Sequence, residues 1–471
     1  MKEYELVDIT EPELFNRTFP HDLPPFFDFE KPVKESIDGR EVEYDPASVL
    51  HRDIHLTDTT FRDGQQARPP YTTEQTVRIF EMLSRLGGKR GVVRQSEFFL
   101  YTKRDLKNVE ACRNLGLDYP AITGWIRAQP GELRKVRDMQ LKETGILTSC
   151  SDYHIFLKQA QTRREAMDRY LSVAGSALEA GIRPRCHLED ITRADIKGFV
   201  LPFVQALEKM SAGVPAGMKV KIRLCDTMGF GLPYPNVSEP RSIPKLIWRI
   251  REECGIEGNR LEWHGHNDFH RVHANGICAW LCGADALNTT LFGFGERTGN
   301  PPLEGALVEY VSLKRDLNGV NLPVITELAR YYENTIGSPP PVNYPFTGRD
   351  FNTTRAGIHA GGLRKNERIY TVFDTNRLLN LPPKVSITDK SGTDGIALWV
   401  NEFLGLRGKN RVSRSRVAPI QRWVMNQYEK EGRNTAISEE ELREQVRINL
   451  PLVYAERVKS QAEDPGISSR P

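Results

Sequence analysis

From residue 54 onward, short apolar or β-branched runs alternate with amphipathic stretches of helical length. The runs occupy residues 54–60, 91–96, 121–126, 146–151, 183–189, 219–226, 260–266 and 286–293. Between them lie helical patterns such as residues 73–86, 105–115, 163–180 and 243–254. Strands separated by helices must pair in parallel, because each return crosses one face of the sheet. Eight such units predict a closed (β/α)8 barrel; an open doubly wound sheet is the alternative. The first run is followed by Asp58-Thr59-Thr60-Phe61-Arg62-Asp63-Gly64 rather than by the glycine-rich turn of a dinucleotide site.

Outside that rhythm the pattern changes. Residues 1–50 carry Pro20, Pro24, Pro25, Pro32 and many acidic residues without a clear period, which predicts an extended arm lying on another surface. Residues 303–317 and 325–336 read as helices, and Ser338-Pro339-Pro340-Pro341 as a stiff linker. The expected division is an arm over 1–50, a catalytic barrel over 51–320, a linker and small α+β or helical subdomain over 321–410, and a helical tail over 411–471. That tail opens on Arg411, Arg414 and Arg416, and its last seven residues are expected to fray.

Composition narrows the function classes. Sixty-five Lys plus Arg against 62 Asp plus Glu leave a net charge of +3, too small to argue for a nucleic-acid surface. No apolar run reaches the roughly 18 residues of a membrane span, and Met1-Lys2-Glu3-Tyr4-Glu5 leads into no apolar h-region, so a secretory signal is not expected. The seven cysteines are odd in number and form no CxxC pair, which fits reduced thiols in a cytoplasmic enzyme. Cys278 and Cys282, four apart on an expected helix, read as packing residues.

In a parallel barrel the chemistry sits at the C-terminal strand ends. There stand Arg62-Asp63, His187-Leu188-Glu189-Asp190, Asp226-Thr227 and His264-Gly265-His266-Asn267-Asp268. Strand side chains alternate, so His264 and His266 face the same way. Two imidazoles with the Asp63 carboxylate make a site for a divalent ion with open positions; a pair of buried structural histidines is the alternative. Such a site suits a 2-oxo acid, which can chelate through its ketone and carboxylate oxygens. Arg62 could stabilise developing oxyanion charge. Thr227 could donate to the substrate carboxylate or merely cap a helix. In the loop Gly293-Phe294-Gly295-Glu296-Arg297-Thr298-Gly299-Asn300, Asn300 offers a neutral oxygen.

Over about residues 54–406 these stretches resemble the acyl-CoA-condensing synthases of the 2-isopropylmalate and homocitrate synthase family, relatives of the 3-hydroxy-3-methylglutaryl-CoA lyases. The anchors are Asp58 to Gln66, His264 to Asp268 and Gly293 to Asn300. The resemblance implies that Asp63, His264 and His266 bind a divalent ion (Mn2+, Co2+, Mg2+ or Zn2+), with Asn300 as a ligand or close neighbour. It implies that Arg62 steadies the enolate and carbonyl, that Gln66 lies in the substrate site, and that Glu189 takes part in catalysis. Beyond the linker, Arg355-Ala356-Gly357-Ile358-His359-Ala360-Gly361 and Lys390-Ser391-Gly392 resemble a synthase module that lyases lack. There His359 would enter the partner subunit's active site in a homodimer and work with Glu189 as an acid–base pair, and Tyr370 matches a catalytic tyrosine of the same module.

Three departures bear on the substrate. Asp268 is followed by Phe269-His270 instead of the usual glycine pattern, Val77 replaces a common lysine, and the second strand reads Val93-Arg94-Gln95-Ser96-Glu97 where a glutamate motif is usual. With the long arm, the Asn267-Asp268-Phe269-His270 variant resembles most the Re-face citrate synthases of anaerobes. The implied substrates are acetyl-CoA and oxaloacetate, with homocitrate or isopropylmalate synthesis, or carbon–carbon cleavage by a lyase or aldolase, as alternatives. A dicarboxylic substrate needs a cation for its distal carboxylate, for which Arg94 and Arg127 are candidates.

Overall fold

The computed structural model of the chain describes residues 4–12, 29, 31–406 and 408–456. The expectations for Pro20, Pro24, Pro25 and the last seven residues lie outside them. The described residues form two compact units that divide at Pro340 and Pro341, inside the proline linker.

The first unit begins with an antiparallel hairpin, β1 (Val33–Ile37) and β2 (Arg40–Tyr44), joined through Asp38 and Gly39 at positive φ. The sequence reading of this stretch as an arm without period missed the hairpin. It lies on the barrel's helical shell: Glu35 accepts from the Asn236 backbone N–H at 2.8 Å, and Asp38 pairs with Lys197 and Arg249 at 2.8 Å each.

All eight expected strands form: β3 (His55–Asp58), β4 (Val93–Phe99), β5 (Ala121–Arg127), β6 (Glu143–Ser149), β7 (Arg183–Glu189), β8 (Lys221–Asp226), β9 (Leu261–Gly265) and β10 (Ala286–Thr289). They close into a parallel barrel, with β10 pairing both β9 and β3. Helices follow because the intervening sequences are capped and amphipathic. Thr72 and Gln75 form a reciprocal capping box at the start of the helix Thr73–Gly87, which buries Ile79, Phe80, Leu83 and Leu86 against the sheet. Each such side chain contributes about 1.5–3 kcal/mol on leaving water.

The alternation within the strands has an unusual sense. Leu56, Cys186, Leu188, Ile222, Leu224 and Trp263 face the helices, whereas the lumen side is charged. Arg62, Arg185, Lys221 and Arg223 meet Asp63, Glu97, Glu143 and Glu262, four cations with four carboxylates. Barrel lumens are more often filled by branched apolar side chains. Gly145 belongs to this packing: a Cβ there would lie 2.6 Å from the His187 ring and 2.9 Å from Glu97 Oε2.

The second unit holds a two-stranded parallel sheet, β11 (Thr353–Thr354) with β12 (Lys384–Val385), and the helices Gly357–Lys365, Gly392–Phe403, Arg414–Glu429 and Glu439–Asn449. One apolar core runs through it from Ala360 to Leu450. The subdomain and tail that the sequence suggested as separate pieces therefore share a core, while the helix Pro323–Tyr331 belongs to the barrel unit.

Candidate active site

Asp63 lies in the turn after β3, His264 within β9 and His266 just past its end; all three are buried. Asp63 Oδ2 is 3.5 Å from His264 Nε2 and 3.8 Å from His266 Nε2, and the two Nε2 atoms are 3.3 Å apart. These three residues form a group able to hold a metal ion, the one such group found among the described residues.

Hydrogen bonds fix which nitrogen of His264 is free. Thr57 lies opposite Asn288 in the β3–β10 register. The Thr57 hydroxyl donates to Glu262, so its oxygen accepts from Asn288 Nδ2 at 2.8 Å. Asn288 Oδ1 therefore faces His264 Nδ1 at 2.8 Å and accepts its proton, leaving the Nε2 lone pair aimed at Asp63. Burial, and then His266 beside it, push His264 down to about 3; burial pushes His266 down as well. Both rings are thus neutral near pH 7. Burial tends to raise the Asp63 carboxyl, but Arg62 and the two imidazoles outweigh it and hold it below the usual carboxylate range.

Asn300 completes the floor. Its Nδ2 donates to Asp63 Oδ2 at 3.0 Å, while its buried Oδ1 has no hydrogen-bond partner. An orphaned oxygen beside the free His264 Nε2 lone pair, the His266 ring and a carboxylate is what a bound cation would satisfy. Gly295 is required here, because a Cβ would lie 1.7 Å from Asn300 Oδ1.

Arg62 reaches the same place. Its guanidinium lies 3.6 Å from Asp63 Oδ2, donates through Nε to Glu97 at 2.9 Å and rests over the Trp125 ring at 5.6 Å. Glu97 also accepts from Arg185 at 2.5 Å and Arg223 at 3.2 Å. Burial alone would raise its carboxyl, but Arg223, Arg62, His187 and Arg185 hold it well below the usual range.

Glu189 ends β7. His154 Nδ1 donates to it at 2.8 Å and Lys158 at 3.1 Å, and the Ser149 hydroxyl also donates. Against the opposing effect of burial, the His154 hydrogen bond, the Lys158 charge and Ser149 bring the carboxyl down to about 2, so Glu189 is an anion near pH 7. Asp190, buried at φ +68°, anchors Arg193 and Ser151 in the adjoining turn.

The other residues singled out from sequence fall variously. Thr227 sits on the same rim, where its hydroxyl oxygen accepts from the Asp190 N–H at 2.8 Å and so braces two strand ends. Gln66 is exposed in the turn Gly64–Ala67, three residues past Asp63. Arg127 closes β5 but pairs with Glu132 at 2.7 Å. Arg94 is a correction: β4 begins at Val93, which puts Arg94 at the opposite, N-terminal end of the barrel, paired with Asp53 at 3.1 Å. The same shift returns a glutamate to the second barrel strand, since β4 runs to Phe99 and holds Glu97 inside. Sequence reasoning also missed His154 and Lys158; applying the strand-end rule to the fourth barrel strand, which closes at Ser149, would have found them. In the second unit the His359 and Tyr370 rings pack together with centroids 4.4 Å apart and planes tilted by 39°, and both residues are exposed. Cys278 and Cys282 are half-buried, with their sulfurs 3.9 Å apart.

The HMGL-like family profile matches residues 53–331. The citrate (Re)-synthase of Syntrophus aciditrophicus is 49% identical over 99% of this chain and 72% of its own. That of Clostridium kluyveri is 47% identical over 93% and 94%. The 2-phosphinomethylmalate synthase of Streptomyces hygroscopicus is 36% identical over 92% and 95%. Among solved structures, hydroxymethylglutaryl-CoA lyase from Pseudomonas aeruginosa shares the fold at a TM-score of 0.50 and 17% identity, covering 61% of this chain and 94% of that one.

Proposed function

The chain belongs to the HMGL-like family of enzymes, and from that premise we propose that it condenses acetyl-CoA with oxaloacetate to give citrate and free CoA. The observation that carries this reading is the convergence of Asp63, His264 and His266 beside Arg62, on a chain alike over nearly its whole length to two citrate (Re)-synthases.

Asp63, His264 and His266, with Asn300 beside them, would hold a divalent ion such as Mn2+, Co2+, Mg2+ or Zn2+; a donor set of nitrogen and oxygen without thiolate suits this group. When bound, such an ion acts as a Lewis acid on the ketone of a 2-oxo acid. Arg62, pinned by Glu97 and Trp125, presents its remaining N–H groups where oxyanion charge develops on the enolate and then on the alkoxide. His359 of a partner copy removes the acetyl methyl proton, with the Glu189 anion orienting the imidazole. The methyl carbon bonds to the ketone carbon, the alkoxide is protonated, and water cleaves the thioester to release the CoA thiol. His154, Lys158 and Ser149 keep Glu189 ionised and in place throughout.

The exposure of His359 and Tyr370 supports a homodimer with exchanged C-terminal modules, and seven free cysteines fit a cytoplasmic setting. No helix among the described residues is long and apolar enough to cross a membrane. Two separate variants, His266→Ala and His359→Ala, are each expected to be inactive, and mixing them after mild denaturation should restore part of the activity. No recovery in mixed dimers would contradict the exchange.

The assay that tests the function measures CoA release with oxaloacetate, 2-oxoglutarate, 2-oxoisovalerate and pyruvate. Oxaloacetate is expected to dominate, and labelled acetyl-CoA should report attack on its Re face after stereospecific cleavage of the citrate. Preference for another 2-oxo acid, or release of acetyl-CoA from a hydroxyacyl-CoA instead, would overturn it.

A further inference from the structure

A cavity of about 610 Å3 opens on the C-terminal rim of the barrel, walled by Gln65 and Gln66 on one side and by Phe99, Tyr101, Lys103 and Arg104 on the other. It adjoins the reacting centre without being part of it. Gln65 and Gln66 lie two and three residues past Asp63, and Trp125, over which Arg62 rests, packs edge-on against Phe99 at 5.7 Å and Tyr101 at 6.2 Å. Its chemistry is aromatic and basic. Phe99 and Tyr101 offer apolar ring surface, and Lys135 lies 4.0 Å over the Tyr101 ring. Lys103 and Arg104 are exposed, and neither has an ion-pair partner among the described residues. The one carboxylate among the lining residues, Asp105, accepts from the backbone N–H groups of Tyr101 at 3.1 Å and Thr102 at 2.8 Å.

Two free cations next to aromatic faces, beside a site that handles an acyl group, match a phosphorylated adenosine on a flexible arm. We infer that this cavity takes the nucleotide end of the CoA thioester, with the ribose 3′-phosphate against Lys103 and Arg104 and the adenine against Phe99 and Tyr101. The pantetheine arm then passes Gln65 and Gln66 to bring the acetyl group to Arg62. The inference rests on the reading of the enzyme as a user of acetyl-CoA, and it deepens that reading by assigning the donor's anchor.

The test is the double variant K103E/R104E, with K103Q/R104Q as the milder form; both positions are exposed, and thermal melting checks that the fold is intact. The KM for acetyl-CoA should rise at least tenfold in the first and less in the second, with kcat and the KM for the 2-oxo acid within twofold of the parent. Acetyl-3′-dephospho-CoA should raise the KM of the parent enzyme but leave that of K103E/R104E unmoved. Calorimetric titration of CoA alone, without 2-oxo acid, should show binding to the parent that weakens in the variant. An unchanged acetyl-CoA KM, or an equal response of parent and variant to loss of the 3′-phosphate, overturns the subsite while leaving the condensation standing. CoA binding that weakens in the variant, in an enzyme that condenses nothing, sustains the subsite and removes the proposed reaction. A parent enzyme that binds no CoA overturns the subsite.

Discussion

On the proposed function, replacement of His266 by alanine is expected to abolish condensation, with a fall in kcat on the order of 10^3 or more, because the several kcal/mol of charge stabilisation that a bound divalent ion would supply at the ketone would be lost. His266 Nε2 is one of only three ligand atoms that meet beside Arg62, and no other histidine, cysteine or carboxylate among the described residues joins that group. Metal analysis of the purified variant should find less than about a tenth of the parent's divalent content, since losing one of three protein ligands outweighs the 10–100-fold effect typical of an outer partner. The fold should survive, because His266 lies past the end of β9 and its Nδ1 makes no hydrogen bond. A variant that keeps both its metal and its turnover would show that the three side chains do something else.

The second large effect is expected at Glu97 and is one of stability. Glu97→Ala leaves Arg62, Arg185 and Arg223 around a vacated carboxylate site in the barrel lumen, where water cannot compensate them. Removing one partner from a buried ionic cluster costs about 3–5 kcal/mol, even though exchanging a whole cluster for apolar residues can be neutral. Urea midpoints should register this loss, if the variant folds at all. Glu97→Gln keeps the shape and one acceptor and serves as the soluble comparison. It should also lower kcat/KM, because Arg62 loses the carboxylate that sets its direction. A pH signature follows from the depressed carboxyl of Glu97. Its stabilisation is present above the unfolded-state value of about 4.3 and is lost as pH falls toward the much lower folded-state value. The parent should therefore lose stability more steeply than Glu97→Gln in acid. Equal acid profiles and equal urea midpoints would mean that the cluster is solvated and of little consequence.

Neither the lumen cluster nor the fate of Arg94 was legible in the chain, for two separate reasons. Strand period separates two faces but does not say which face meets water. In Arg183-Pro184-Arg185-Cys186-His187-Leu188-Glu189 the polar set looks like a solvent face, yet closure of the sheet turns it inward, where Arg185 and His187 are buried. Strand boundaries are equally soft in sequence. Moving the second barrel strand from residues 91–96 to Val93–Phe99 carries Arg94 to the wrong end of the barrel for a substrate and brings Glu97 under Arg62. His154 and Lys158 escaped notice because their partner, Glu189, is more than 30 residues away along the chain.

The chain by itself determined the eight strand–helix repeats, and with them the barrel, because local periodicity and capping act over a few residues. It also set Asp63, His264 and His266 at strand ends, where a parallel barrel must bring them to one rim. Only the tertiary structure decided which charges face one another across the lumen, which imidazole nitrogen of His264 is free, and which basic residues border the neighbouring cavity. Those outcomes depend on register and on closure between strands far apart in sequence, and on burial that makes each unpaired charge expensive. No local pattern encodes them.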